Sequence, residues 1–155
     1  MYGPEPQALS RQFSHLINCQ VSFTETVLPA KTNVKQVYGV YSVFPSESTL
    51  IVKADLVLLG SLAGAFVGLP DAEITQRLRS TQLDEVLEDA INEILNVAAG
   101  VITRQGRAVF SGMASKVEDI QGAGALVVAK PNRTVNFNVV VQGYQGGRWS
   151  VLLPE

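Results

Sequence analysis

The chain has 155 residues, of which 46% are hydrophobic and only 17% are charged. That length suits one domain, and the composition is too rich in core-forming residues for a disordered chain. Twelve Lys and Arg against fourteen Asp and Glu give a net charge of -2, so the chain lacks the surplus of cations on which binding to nucleic-acid phosphates depends. We therefore expect a single domain over residues 1–155 with no nucleic-acid partner.

The chain contains one cysteine, Cys19, and one histidine, His15. A single cysteine cannot form an intramolecular disulfide, and the two residues together are too few for a zinc site of the usual ligand types. They lie four residues apart in a predicted helix, where a helix-face histidine beside a buried thiol is far commoner than a catalytic dyad. We therefore expect neither a metal site nor a cofactor in this chain, and neither metal-dependent hydrolysis nor thiol redox chemistry.

The N-terminal residues contain no apolar run of the kind found in secretory signals. The longest uncharged run extends from Leu56 to Leu69. As a helix this run would span about 21 Å, which is short of the roughly 30 Å of a membrane's hydrocarbon core. Gly60 and Gly64 form a GxxxG pattern within it, a spacing that marks close helix packing. The run predicts a buried helix in a cytoplasmic protein with no membrane partner.

The first third of the chain predicts one helix and three strands. Apolar residues recur at helical spacing from Pro6 to Cys19. β-Branched and aromatic residues then dominate three segments that predict strands: Val21 to Leu28, Val34 to Phe44, and Thr49 to Val52 or slightly beyond. Pro29 and the run from Pro45 to Ser48 separate these strands, and the second break is short enough for a hairpin.

Two further helices are predicted around the apolar run. Asp55 is a candidate N-cap for the first of them, and the sequence from Gly68 to Pro70 ends it. Asp71 is a candidate cap for a short helix that extends to Arg79.

The longest predicted helix runs from about Leu83 to Arg104, because its apolar residues follow a three-to-four rhythm without interruption. Beyond Gly106 the pattern returns to strands, which are predicted over Ala108–Ser115, Ala125–Ala129, Thr134–Gln142 and Trp149–Leu153. The order helix, strands, helices, strands predicts an α+β fold in which an antiparallel β-sheet is flanked by helices.

The outer face of the long helix carries an unusual set of residues: Glu85, Asp89, Glu93, Asn96 and Gly100. Like charges four residues apart cost a few tenths of a kcal/mol in an isolated helix, and a mid-helix glycine costs roughly 1 kcal/mol relative to alanine. Ala99 and Gly100 beside an acid and an amide leave room for another chain to approach closely. The alternative remains that this face is simply solvated, as polar helix faces usually are.

The stretch from Asp89 to Gly100, DAINEILNVAAG, resembles the signature helix of the CheC/CheX/FliY chemotaxis phosphatase family. The signature reads Asp or Ser, three residues, Glu, two residues, Asn, and then small residues and Gly. The order of the predicted elements is also similar to that of CheX. Because one such helix is found here, whereas CheC-like proteins usually have two, the single-motif CheX type is the closer resemblance.

The resemblance implies hydrolysis of the phosphoaspartate on a response-regulator receiver domain such as CheY. It implies that Asn96 orients the attacking water, a role an amide suits because it both donates and accepts hydrogen bonds. It implies that Glu93 pairs with the receiver's active-site lysine, and that Asp89, Ala99 and Gly100 contribute to the docking face. The Mg²⁺ is expected in the receiver, and a homodimer joined at sheet edges is expected by analogy.

One departure from the family pattern counts against turnover, because Asp119 occupies the position where the pattern has a proline. A catalytically degenerate adaptor, which binds a receiver or a flagellar-switch-like partner through the same helix face, is therefore the alternative. A third hypothesis is a small-molecule-binding domain that uses the closing strands.

Two remaining motifs have ordinary structural interpretations. Gly122-Ala123-Gly124 is expected to form a turn before a strand, not a phosphate-binding loop that opens a helix. Trp149, with Phe137 and Tyr144, is expected to pack in the core and not to form a stacking platform for a ligand.

Overall fold

The computed structural model describes residues 3–27, 33–80 and 82–154. Within these residues six strands form one antiparallel sheet. The strands are β1 (Val21–Thr26), β2 (Gln36–Phe44), β3 (Ser48–Asp55), β4 (Arg107–Ala114), β5 (Arg133–Val141) and β6 (Gly147–Leu153). Their order across the sheet is β1-β5-β6-β3-β2-β4, and every neighbouring pair is antiparallel. The predicted α+β class is confirmed.

Five α-helices flank the sheet in the described residues. They are α1 (Pro6–Ile17), α2 (Leu56–Val67), α3 (Asp71–Leu78), α4 (Glu85–Ala98) and α5 (Ala123–Ala129). A short 3₁₀ turn, Val117–Asp119, precedes α5.

The larger hydrophobic core joins one face of the sheet to α1, α2 and α4. Alternate residues of β5 supply part of it, because a strand turns every second side chain to the same face; they are Val135, Phe137, Val139 and Val141. A smaller cluster lies on the opposite face, where Tyr38, Ile51 and Leu152 of the sheet pack against Ile120 and Val127.

The two edges of the sheet differ. At the β1 edge, Ser10 and Ser14 of α1 turn their hydroxyls to the strand. The backbone N–H of Phe23 donates to Ser10 Oγ at 2.9 Å, and that of Val21 donates to Ser14 Oγ at 2.9 Å. Helix α1 therefore occupies hydrogen-bonding groups that a further strand would need. The other edge strand, β4, carries a register irregularity opposite Val40 and Tyr41.

The GxxxG pattern of α2 packs against α3. A Cβ atom built on Gly64 would overlap Ile74 Cδ1, and one on Gly60 would lie 2.8 Å from Leu78 Cδ1. Because these two glycines have no side chain, the apolar side of α3 can pack directly on α2. Among the described residues, no helix reaches the length and apolarity that a membrane span requires.

The long predicted helix ends earlier than expected, at Ala98 and not at Arg104. The apolar rhythm continues past the end because Ile102 is also buried, although the chain there has left the helix. Gly100 consequently lies in the turn after α4, and the mid-helix cost attributed to it does not apply.

The predicted strand from Ala125 to Ala129 is wrong, because these residues belong to helix α5. A five-residue apolar run has no period long enough to distinguish the two structures. Gly122, at a φ of +64°, is the N-cap residue before this helix, so the expectation that the glycines precede a strand is also wrong. A Cβ on Gly124 would lie 2.9 Å from Ile120 Cγ2 and 3.5 Å from Ile51 Cδ1, which shows how closely α5 lies on the sheet.

Neither predicted aspartate cap forms. Asp55 occupies the N-cap position of α2, but its carboxylate accepts from Gln36 Nε2 at 2.6 Å and from the backbone N–H of Arg148 at 2.8 Å. Asp71 is the first residue of α3 and accepts from the backbone N–H of Gln145 at 3.1 Å. The predicted end of the first strand at Leu28 and the break at Pro29 lie outside the described residues.

Candidate functional site

Helix α4 is held at its start by a formed cap. Asp84 is the N-cap residue, and its Oδ1 accepts from the backbone N–H of Leu87 at 3.0 Å. Its Oδ2 accepts from Arg77 Nη1 of α3 at 3.3 Å. The cap satisfies one of the N–H groups that a helix start leaves unpaired, and the link to Arg77 joins α3 to the beginning of α4.

One side of α4 is fixed in the larger core. The buried side chains recur every third or fourth residue and are Leu87, Ala90, Ile91, Ile94, Leu95 and Ala98. Within the helix the predicted inward residues are buried except Val97, which is half-buried, and Leu95 is buried although it was not predicted. The helix is thus a firm support for its other side.

The opposite side of α4 exposes the residues of the signature: Asp89, Glu93 and Asn96 are all exposed. Among the described residues, the structure gives the side chains of Glu93 and Asn96 no hydrogen-bond or ion-pair partner. Asn92 on the same helix differs, because its Nδ2 donates to the carbonyl of Glu88 at 3.1 Å. The hydrogen-bonding capacity of Glu93 and Asn96 is therefore free for another molecule.

The residues that follow α4 are small, so no large side chain stands beside Asn96. Ala99 is half-buried and Gly100 is exposed. A Cβ on Gly100 would meet nothing nearer than the carbonyl oxygen of Val97 at 3.6 Å. Packing within this chain therefore does not require a glycine at position 100. The absence of a side chain there leaves the approach to Asn96 open to a partner.

The surface toward the start of α4 is acidic. Asp89 borders an open depression at the start of α4 whose other lining residues are Ser80, Gln82, Leu83, Asp84, Glu85 and Glu88. The structure thus brings the carboxylates of the helix start and the signature residues to one side of the molecule.

Asp119, the residue at the family's proline position, does not lie with them. It is exposed at the end of the 3₁₀ turn. The next residue, Ile120, packs in the smaller cluster, on the sheet face turned away from α4. Asp119 lines a cleft beside β4 with Ser111 and Met113 among its neighbours.

The remaining candidate residues have structural surroundings. His15 is exposed on α1, whereas Cys19 is half-buried, and burial raises the pKa of its thiol. The expectation of a buried thiol is thus met in part. Among the described residues, no group of three or more His, Cys, Asp or Glu side chains is placed to hold a metal ion.

Trp149 and Phe137 pack in the core, as expected. Both are fully buried, and the Trp149 ring lies 5.8 Å from that of Phe13 and 5.7 Å from that of Phe23. Tyr144 is half-buried and its hydroxyl donates to the carbonyl of Leu69 at 2.8 Å.

Sequence reasoning missed Tyr41, which lies under the end of α4. Its side chain is fully buried, and its hydroxyl donates to the carbonyl oxygen of Leu95 at 2.6 Å. The alternation of β2 indicates that Tyr41 faces the core, but nothing local to it indicates a bond to the residue before Asn96.

Solved structures share this fold. A FliG–FliM complex from H. pylori contains a chain that matches with a TM-score of 0.61 and 12% identity, over 96% of this chain and 86% of that one. The middle domain of FliM from H. pylori matches with a TM-score of 0.57 and 16% identity, over 96% of this chain and 84% of that one. Thermotoga maritima FliY matches with a TM-score of 0.58 and 12% identity, over 94% of this chain and 82% of that one.

At these identities the matches show the fold alone. The match to FliY confirms that the chain has the fold expected from the CheC/CheX/FliY resemblance. Crystal structures of a CheX and of a CheX–CheY complex also match, with lower TM-scores of 0.45 and 0.42. No family model and no curated protein matches the chain.

Proposed function

We propose that the protein hydrolyses the phosphoaspartate of a response-regulator receiver domain, with Glu93 and Asn96 as the working pair. One observation carries this proposal: a free carboxylate and a free amide lie one helical turn apart on the exposed side of α4, whose other side is fixed in the core. Residues three apart on a helix have Cβ atoms about 5–6 Å apart. The pair can therefore contact one reaction centre together.

The chemistry suits an amide. In the hydrolysis a water oxygen attacks the phosphorus in line, the bond between phosphorus and the aspartyl oxygen breaks, and inorganic phosphate and a free carboxylate result. Asn96 Oδ1 would accept a hydrogen bond from the water, and Nδ2 would donate one to a phosphoryl oxygen. Phosphoryl transfer depends mainly on positioning and electrostatics, so this chain supplies no general base.

Glu93 would act before the chemistry. An exposed carboxylate on a rigid helix can pair with a cationic side chain at the receiver's active site, which sets the docking register and the direction of approach. Asp89 adds a second negative charge one turn earlier, and Ala99 and Gly100 leave space beside Asn96. The Mg²⁺ of the reaction would be bound by the receiver, where it would neutralise charge on the phosphoryl oxygens.

The second candidate function is that of a non-catalytic adaptor. Two observations favour it. Two of the FliM structures with this fold are of complexes, one with FliG and one with SpeE, and Asp119 replaces the family's proline. An adaptor would use the same exposed side of α4 to bind a receiver or a switch protein without turnover.

The test is the decay of phosphorylated receiver domains from the source organism, each loaded with acetyl phosphate and Mg²⁺. The wild-type protein should accelerate the decay of at least one receiver. Asn96→Ala should lower that acceleration about 100-fold, because catalysis by positioning loses that much when a reacting group is misplaced. Asn92→Ala is the matched control: it removes an amide from the same helix, one whose hydrogen bond stays within the helix.

Binding to a receiver loaded with beryllofluoride, a phosphoryl mimic, separates the two candidates. A phosphatase binds and accelerates, and Glu93→Ala weakens the binding, whereas Glu88→Ala, a change to another exposed glutamate of α4, weakens it less. An adaptor binds without acceleration. A folded wild-type protein that neither binds nor accelerates any receiver of the organism contradicts the phosphatase and restricts the adaptor to a switch-protein partner.

A further inference from the structure

The last turn of α4 departs from regular α-helical bonding at Asn96. In an α-helix the N–H of each residue bonds to the carbonyl four residues earlier. Here the N–H of Ala99 donates to the carbonyl of Asn96 at 3.2 Å, and that of Gly100 donates to the carbonyl of Val97 at 3.2 Å. The carbonyl of Leu95, the regular acceptor for Ala99, instead accepts from the Tyr41 hydroxyl at 2.6 Å.

The ring of Tyr41 is held in place by its packing against the sheet. Its ring is fully buried and lies 5.4 Å from the ring of Phe110 on the neighbouring strand β4. Two residues earlier on the same face of β2, a Cβ on Gly39 would lie 3.2 Å from both Leu95 Cδ2 and Tyr41 Cε1. Gly39 thus leaves space for the Leu95 side chain beside the tyrosine.

The hydroxyl is a donor at every ordinary pH, because burial raises the pKa of Tyr41 well above its usual value. A buried carbonyl without a partner is costly, so the phenol both fixes the position of Leu95 and satisfies its oxygen. The next residue in the chain is Asn96, whose side chain points away from the sheet into solvent.

We propose that Tyr41 is a positioning residue: by holding the carbonyl of Leu95 it fixes the last turn of α4 and therefore the place of the Asn96 amide. This inference rests on the proposed function, since it assigns Tyr41 a part in the same reaction. Productive geometry tolerates errors of only about 0.5 Å, and a tether one residue away from the amide, anchored in the sheet, meets that demand better than helix bonds that end at the same turn.

The first experiment measures decay of the phosphorylated receiver over a range of receiver concentrations. Tyr41→Phe keeps the ring and removes the hydroxyl. We expect kcat to fall about tenfold and KM to change less than twofold, because Glu93 and Asp89 lie earlier in the helix and still dock. Glu93→Ala should show the opposite pattern, with a raised KM.

Two controls separate positioning from general damage. Tyr38→Phe removes a hydroxyl from a buried tyrosine of the same strand, on the opposite sheet face, for which the described residues provide no hydrogen-bond partner; its kcat should equal that of the wild type. Val139→Ala destabilises the core near the opposite edge of the sheet. Assayed well below its unfolding temperature, it should also keep the wild-type kcat.

The second experiment does not depend on activity. Amide hydrogen exchange in ¹⁵N-labelled protein measures directly how often the hydrogen bonds of the last turn of α4 open. In Tyr41→Phe the amides of Ala99, Gly100 and Val101 should exchange at least about tenfold faster, while those of Ala90 and Ile91 in the middle of α4 stay unchanged.

The outcomes distinguish the two proposals. Unchanged exchange at the last turn, or a kcat of Tyr41→Phe equal to that of the wild type, overturns the positioning role even if the protein is a phosphatase. Equal loss of kcat in Val139→Ala overturns it as well. A wild-type protein that is inactive on every receiver overturns the proposed function. It also overturns the part of Tyr41 in catalysis, even if faster amide exchange in Tyr41→Phe shows that the hydroxyl stabilises the last turn.

Discussion

Helices α2 and α4 both pack under the same face of the sheet, yet their surroundings are opposite. In α2 seven consecutive residues, Leu58 to Gly64, are buried, so the helix has core on nearly every side. In α4 buried residues recur only every third or fourth position, and the side between them is exposed and polar. The stretch of α2 from Leu58 to Gly64 is closed in by its own fold and offers no surface to a partner. The free polar side of α4 is therefore where we place function.

The sharpest test of this difference lies within α4, at two adjacent residues. Ile94 is fully buried and Glu93 is exposed. Ile94→Ala should lower the free energy of unfolding by about 2–5 kcal/mol, since it removes buried methylene groups and leaves a cavity. Glu93→Ala should change it by less than about 0.5 kcal/mol. Urea unfolding followed by circular dichroism measures both, and comparable losses in the two variants would show that the exposed side is also structural.

Replacement by alanine should have different effects at Gly64 in α2 and at Gly100 in the turn after α4. Gly64→Ala in α2 should cost about 1–3 kcal/mol of unfolding free energy, because the new Cβ overlaps Ile74 and the packed α3 must shift. Gly100→Ala after α4 should change stability by less than about 0.5 kcal/mol, since its Cβ meets only ordinary contacts. Thermal unfolding of the two variants checks this. An unaffected Gly64→Ala would mean that α3 does not pack on the GxxxG face.

The end of α4 should make stability sensitive to alkali. Burial raises the pKa of Tyr41 above the ordinary tyrosine value of 10.0, so above that pH the unfolded chain releases a proton that the folded protein keeps. Stability should therefore be unaffected by this group below pH 10 and fall above it, by about 1.4 kcal/mol per pH unit for one proton. Urea titrations from pH 9 to 11 should show a steeper fall for the wild type than for Tyr41→Phe, and parallel curves would contradict the burial of the phenol.

The smallest expected change in the free energy of unfolding comes from the start of α4. Asp84→Ala removes the N-cap of α4 and should lower the unfolding free energy by about 1 kcal/mol. Asp84→Asn keeps an oxygen acceptor and should lose only a few tenths, because the half-exposed pair with Arg77 contributes little. Should asparagine cost as much as alanine, the ion pair and not the cap would be the main interaction. In α2 no side-chain cap forms, and burial together with backbone hydrogen bonds at its two ends holds that helix in place.

Local periodicity explains which elements were predictable. The 3.6-residue period of α4 and the two-residue alternation of β5 both extend over several repeats, and each identifies its buried side without any tertiary information. The exposed positions of Asp89, Glu93 and Asn96 follow from the same period. Short or interrupted patterns failed: the apolar run in α5 suits either structure, and the rhythm of α4 continues to Ile102 although the helix stops at Ala98.

The sequence by itself determined the α+β class, the buried face of α4 and the stripe on which the candidate site lies, because each depends on residues close together in the chain. Only the tertiary structure decided where α4 ends, that Asp119 lies away from the candidate site, and that Tyr41 bonds to the residue before Asn96. The bond from Tyr41 to Leu95 joins residues 54 positions apart. No local pattern encodes such a contact, since it exists only when strand β2 and helix α4 have been packed together.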